Sequence, residues 1–414
     1  MRSLAAISLA LALLPAATRP HYGGTLHVQI LDALATLEPG EPARNRVAGL
    51  IVETLVDLDD RGVPRPKLAI AWQHDADARR WSFTLRQRVA FHDGSSLTAA
   101  AAATALAGVM KNITVTPAGS NLIFESPTPR PGLLEELANP RYGIYKRTPE
   151  TPLIGTGPFR LNPWLPGAPV MLTAFEEHWA GRPYVDAIHF DTRHSAIPDI
   201  VELPVNASPR TLPEKLHLET SSPAEVFALI LPVSAAPQLR EALTLSIDRA
   251  AIVNALFQKR GEPTAALLPQ WLSGYAFLFP SGIDLNRARQ LAAGIRQPLT
   301  LGYAAGDPVA RGVADRIALN ARDVGLIVQS TAGSAQARLV GLPIGSANAT
   351  QALSEIAAAL GSAEPLGDLY ESERTLIDTN RIVPIAHIPR LYGIHTRVRD
   401  YTTAWRLENV WIAP

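Results

Sequence analysis

The chain has 414 residues, 47% of them hydrophobic, enough to bury a large core and to form more than one compact unit. Its 38 basic and 38 acidic residues cancel, and no basic stripe offers a footing for nucleic acid. Cysteine is absent, which excludes disulfides, thiolate metal sites, thiol nucleophiles and a lipid-modified N-terminal cysteine.

The opening "MRSLAAISLALALLPAATRP" places Arg2 before an apolar run from Leu4 to Leu14, followed by Pro15 and small residues. This is the layout of a secretory signal peptide over residues 1–18, and the run is shorter than the roughly 20 residues a bilayer span needs. The mature protein is expected outside the cytoplasm. "GGTLHVQI" predicts a first strand, and "RVAGLIVETLVDLDDRG" predicts a helix leading into a turn. In "RRWSFTLRQ", Trp81, Phe83 and Leu85 alternate with polar residues, the period of a strand with one buried face. Asp93-Gly94 then supplies a turn, and Thr98 stands where it can cap a helix starting at Ala99. His92 and Asp93 are neighbours at the end of a strand, so they point apart and read as structural residues, not an acid–base pair.

Further on, Gly155, Gly157 and Pro158 impose a tight backbone course before a strand at Phe159, and Pro166-Gly167 marks a hairpin-like turn. Leu239, Ala242 and Leu243 share a helical face. Asp248 caps a second helix with Ile252, Val253, Leu256 and Phe257 as its apolar stripe. "LTLGYAAGDPVARGVADRIALNARDVGLIVQ" reads as strand, helix, strand, with Pro308 at the first helical position and Gly325 closing the helix. A right-handed parallel crossover follows.

Four blocks carry a family resemblance. "PKLAIAWQHDADARRWSFTLRQRVAFHDGSSLTA", "IGTGPFRLNPWLPGAPVMLTAFEEHWAGRPYVDAIHF", "LREALTLSIDRAAIVNALF" and "RIVPIAHIPRLYGIHTRVRDY" together resemble family 5 extracellular solute-binding proteins, the oligopeptide, dipeptide and nickel binders of ABC importers. The resemblance implies a two-lobed α/β fold of the type II periplasmic-binding-protein kind, shortened relative to typical members. It implies lobe 1 over residues 19–230 with a reduced extra subdomain, lobe 2 over 231–375, and a return to lobe 1 over 376–414. A small solute or short peptide would be enclosed by hinge closure without chemistry. The partners implied are permease subunits in the inner membrane, with the receptor itself monomeric and free of cofactors.

The chain also departs from that pattern. Acidic residues usual in the first helical turn after the capping threonine are replaced by Ala99 to Ala103. The region Ala337 to Gly361 lacks the aspartate with which peptide-binding relatives pair a peptide's ammonium, and a desolvated ammonium without a carboxylate is costly. An alternative is a paralogue that keeps the fold and acts as a sensor or interaction protein. Candidate ligand contacts are Glu41, Arg44, Asn45 and Arg46 in the loop after the first strand, Trp271 and Tyr275 in "PQWLSGY", and Arg338 and Asn348. No catalytic or metal-binding residues are expected: there is no H-E-x-x-H, no G-x-S-x-G and no phosphate loop. The consecutive Glu176, Glu177 and His178 would not converge on one ion.

Overall fold

Two long strands, Leu216–Ile230 and Ile382–His395, run antiparallel and pair from Leu216 with His395 to Ile230 with Ile382. Their register shifts between Thr220 and Pro223 and again between Pro223 and Glu225, with Pro389 facing Pro223. Proline donates no N–H, so the ladder is interrupted here and the ribbon can flex. On one side of the break, the sheet continues through the strands Ile200–Leu203, Thr25–Gln29, Ala187–Asp191, Val170–Ala174 and Phe159–Leu161. On the other it continues through Ala337–Pro343, Leu299–Tyr303 and Val328–Ala332. The computed structural model describes residues 19–31, 34–39, 45–59, 61–193, 197–362, 367–403 and 405–414.

Each side of the break has its own core. The first gathers Leu26, Val28, Phe159, Phe190, Ile394 and Trp405. The second packs Leu229, Leu243, Ile252, Val313, Ile317 and Ile385 beneath the helices Pro237–Ser246, Arg249–Leu256 and Pro308–Asp323. On its other sheet face lie the helices Ala349–Ala359 and Leu369–Ile377, packed through Leu353 and Ile356 on Val226 and Leu342. A smaller antiparallel sheet, Ala69–His74, Arg80–Leu85, Asn121–Glu125 and Thr114–Ala118, attaches to the first lobe and forms a third core with the helix Ala99–Ala107. The result is a two-lobed α/β molecule. No helix among the described residues is long and apolar enough to cross a membrane.

Local chemistry explains these elements. Trp81, Phe83 and Leu85 are buried while their neighbours face outward. Thr98 accepts from the Ala101 amide at 3.1 Å, and Asp248 accepts from the Ala251 amide at 2.9 Å. The strands Leu299–Tyr303 and Val328–Ala332 pair in parallel across the helix Pro308–Asp323, as the strand–helix–strand pattern predicts.

The segment from Arg46 to Gly62 differs from its predicted helix. Helix is confined to Asn45–Ala48, and a short strand Val56–Leu58 follows. The carbonyls of Leu50 and Ile51 accept instead from the amides of Phe159 and Gly157, at 3.0 and 2.9 Å. A Cβ at Gly157 would lie 2.6 Å from the Leu50 carbonyl oxygen, so only glycine permits this approach. Tertiary bonds to the Gly-Thr-Gly loop replace the helical ladder.

His92 and Asp93 take separate structural roles. His92 is buried and donates from Nε2 to the Gly157 carbonyl at 2.9 Å, which pins the same loop. Asp93 faces outward, accepts from Ser95, and pairs with Lys146 at 2.7 Å.

Candidate functional site: the cleft at the strand break

A cavity of about 790 Å³ opens where the two lobes meet at the break in the long strands. The first lobe supplies Ile30 and Leu31 at the end of its first strand, Arg46 from the short helix, Glu202, Tyr392 and Trp405. Glu225 and Phe227 come from the long strand beyond the break, and Phe257 with the turn Ala304 to Pro308 from the second lobe, while Ile388, Pro389 and Arg390 belong to the crossing strand. The volume is in the range of small-molecule sites, and the mixture of apolar walls with a few charged groups is typical of them.

Arg46 organises one wall. Its guanidinium pairs with Glu202, donates to the Tyr392 hydroxyl at 2.8 Å, and lies 4.7 Å from the centre of the Trp405 ring. Burial alone would disfavour its charge, but Glu202 together with the Tyr392 and Tyr401 hydroxyls outweighs that and holds its pKa above the ordinary value. The second Glu202 oxygen accepts from the Leu31 amide at 3.3 Å. Tyr392, Tyr401 and Trp405 pack their rings together. Arg46 Nε, Tyr401 Oη and Trp405 Nε1 are buried in this group without a hydrogen-bond partner among the described residues.

The opposite wall carries carboxylates. Asp307 caps the helix Pro308–Asp323 by accepting from the Val309 and Ala310 amides, both at 2.9 Å. Glu225 is half-buried and makes no hydrogen bond or ion pair with any described residue. Burial pushes its carboxyl pKa up; Arg390 opposes this and Asp307 adds to it.

Within the first lobe, a buried polar knot is centred on Glu53. Glu53 accepts from Thr156 Oγ1 at 2.9 Å, from Trp179 Nε1 at 2.8 Å, and from His178 Nε2 at 3.3 Å. Burial penalises its charge, yet the bond from His178, the charge of Lys67 and the Trp179 bond together bring its pKa below the usual value. His178 of the "EEHW" stretch is thus spent on Glu53 and on the Gly181 carbonyl.

The cavity receives some of the sequence-predicted site residues and not others. Arg46 lines it. Glu41 and Arg44 lie outside the described residues, as does the side chain of Asn45 at the start of the short helix. Trp271, 46% exposed, stands away from the cavity and donates from Nε1 to the Pro223 carbonyl at 3.0 Å, beside the strand break. Tyr275 packs on Phe279 and Tyr370 and donates to Glu373 at 2.8 Å. Arg338 is exposed on the strand Ala337–Pro343, and Asn348 caps the helix Ala349–Ala359 by accepting from the Gln351 amide.

Sequence reasoning missed Glu202, Glu225, Arg390, Tyr392 and Trp405. The available signal was a proline within each long strand: Glu225 stands two residues after Pro223, and Arg390 directly follows Pro389.

The model of the bacterial extracellular solute-binding proteins, family 5, matches residues 63–351. The chain belongs to that family. Among curated family relatives, it is similar to the nickel-binding protein NikA of Staphylococcus aureus, 23% identical over 244 residues, or 52% of this chain and 49% of that protein. It is also similar to the nickel-binding periplasmic protein of Escherichia coli, 25% identical over 290 residues, or 58% of this chain and 55% of that one. These alignments span about half the length of the curated relatives. Among solved structures, the fold resembles DppA from Helicobacter pylori in complex with peptide STSA, with a TM-score of 0.82 at 16% identity over 95% of this chain and 99% of the other. It likewise resembles AgaA in complex with agropinic acid from A. tumefaciens R10, with a TM-score of 0.79 at 19% identity over 94% and 99%. At these identities the likeness is one of fold. A substrate-binding role comes with the family, whose members here are binding proteins and not enzymes.

Proposed function

We propose that this family 5 protein is an extracytoplasmic receptor that encloses a small polar or peptide-like solute, leaves it chemically unchanged, and presents it to inner-membrane permease subunits of an ABC importer. The observation that carries the reading is the cavity of about 790 Å³ lined from both lobes at the break in the two long strands. A ligand touching both walls favours the closed arrangement by its differential contacts, which is how binding becomes a signal a membrane partner can read. Contacts between the lobes support a closed form: Asn139 of the first lobe donates to Glu355 of the second. The backbone of Ala347 also approaches Gly62 too closely for any side chain there.

In this reading residues 1–18 are removed on export, residues 19–230 with 376–414 make the first lobe, and 231–375 make the second. Arg46, Glu202, Glu225, Arg390, Tyr392 and Trp405 contact the solute. Trp271 buttresses the hinge through Pro223.

A thermal-unfolding panel of di- to pentapeptides, opines, sugars and nickel complexes tests this. A true ligand at a hundredfold over its Kd stabilises by about 2.7 kcal/mol, and mass spectrometry of the released solute should find it intact. No shift with any class, or recovery of a converted solute, refutes the receptor.

A further inference from the structure

We infer that Asn139 and Glu355 form a latch, separate from the solute cavity, that draws the lobes together and populates the closed arrangement before any solute arrives. This goes beyond the receptor reading, which requires that the lobes close on a solute but not that they close on their own.

The contact joins two firmly held pieces. On the first lobe, Asn139 precedes the short turn Pro140–Tyr142, and its Oδ1 accepts from the Arg141 amide at 2.9 Å. That bond assigns the oxygen and leaves Nδ2 free to face the other lobe, where it donates to Glu355 Oε1. The turn is tied into its own lobe by the Ile144 amide, which donates to the Glu53 carbonyl at 2.7 Å. On the second lobe, Glu355 stands on the helix Ala349–Ala359, whose Leu353 and Ile356 are buried in a core. Gln351, one turn earlier on that helix, donates to the same Glu355 oxygen at 3.2 Å. A Cβ at Gly345 would lie 2.3 Å from Glu355 Oε2, so the glycine leaves the carboxylate its position. The lobes also touch just before the helix, where a Cβ at Gly62 would lie 2.5 Å from the Ala347 carbonyl oxygen.

Burial pushes the Glu355 pKa up, while the bonds from Gln351 and Asn139 and the charge of Arg141 oppose this. A carboxylate held partly away from water depends on each of its donors, and one of them belongs to the other lobe. Closing without Asn139 would leave the acid short of a partner; closing with it supplies a charge-assisted bond. Gly62, Asn139, Ala347 and Glu355 are all absent from the cavity wall. The latch therefore acts on the closing equilibrium and not on the solute: it raises the fraction of molecules in the binding-competent form, and with it the affinity for whichever solute fits.

The chain has no cysteine, so thiols introduced by Ser120→Cys on the small sheet and Ala358→Cys on the helix, both at exposed positions, are the only sites for nitroxide labels. Pulsed electron paramagnetic resonance then reads the distance between the lobes in protein stripped of solute by unfolding and refolding. The informative variant is Asn139→Asp, which keeps the oxygen that accepts from the Arg141 amide, removes the donor to Glu355 and sets a like charge against it. The expected result is a short-distance, closed population in the labelled parent that Asn139→Asp lowers about tenfold or more relative to the open one. In Asn139→Asp/Glu355→Gln the roles are exchanged: the amide introduced at 355 donates to the carboxylate introduced at 139, and the closed population should return to within about threefold of the parent. A parent with no short-distance population, an Asn139→Asp distribution identical to the parent's, or a loss that the exchange fails to recover would each overturn the latch. All three are read without a solute, so they leave the receptor reading standing. Conversely, a latch that behaves as expected in a protein inert to every solute class would stand while the receptor fell.

Discussion

The Arg46–Glu202 pair offers a quantitative test of how the cleft wall is built. Replacing Arg46 by Met strands Glu202, whose remaining contact is the Leu31 amide. Replacing Glu202 by Leu strands a guanidinium held, among the described residues, by the Tyr392 hydroxyl and the Trp405 face. Removing one member of a buried pair costs about 3–5 kcal/mol. Here the side chains retain 21% and 12% of their exposure, and solvent screening reduces the figure to about 2–4 kcal/mol for each single variant. In Arg46→Met/Glu202→Leu neither charge is stranded and the side-chain volume is largely kept, so the total loss should be only about 1–2 kcal/mol. Coupling between the two substitutions should thus be about 2–3 kcal/mol or more, in the direction of rescue. Urea unfolding followed by tryptophan fluorescence measures all four corners, with an unchanged m-value as the check that one transition is compared throughout. Losses that simply add, to within about 0.5 kcal/mol, would refute the pairing as the organising contact of this wall.

Two further outcomes follow from the first lobe. Glu53→Ala leaves Thr156, Trp179 and His178 without their shared acceptor and should cost about 3–5 kcal/mol in urea unfolding; a loss under about 1 kcal/mol would show the knot to be dispensable. Burial depresses the pKa of His92 and of His387 to about 4, and His92 Nδ1 is buried with no partner among the described residues to receive a second proton's bond. The unfolded chain therefore binds more protons than the folded one between pH 4 and about 6.5, so the stability these residues contribute is complete above about 6.5 and is lost as pH falls toward 4. In His92→Gln the slope of unfolding free energy against pH across that window should flatten by about 1.4 kcal/mol per pH unit, and an unchanged slope would refute the assignment.

Elements governed by local chemistry were legible, whereas the site was legible only in part. The alternation of Trp81, Phe83 and Leu85, the caps at Thr98 and Asp248, and the strand–helix–strand around Pro308 are decided by neighbours within a few residues, and the structure has them where the pattern predicts. The stretch after Arg46 was misread because its carbonyls bond to a loop more than a hundred positions away, a commitment that periodicity does not encode. Cleft residues pose the same difficulty in sharper form. Glu225 directly precedes the buried run Val226 to Leu229 of its strand, and Arg390 sits inside a strand whose burial pattern is otherwise that of a core, and a strand looks alike in sequence whether its open face meets solvent or a cavity. Their one local mark is proximity to Pro223 and Pro389, residues that a central ladder excludes unless it must bend. The same physical requirement thus accounts for both hinge and site: where two lobes need a joint, pairing must lapse, and a lapse in pairing frees strand side chains to face a ligand.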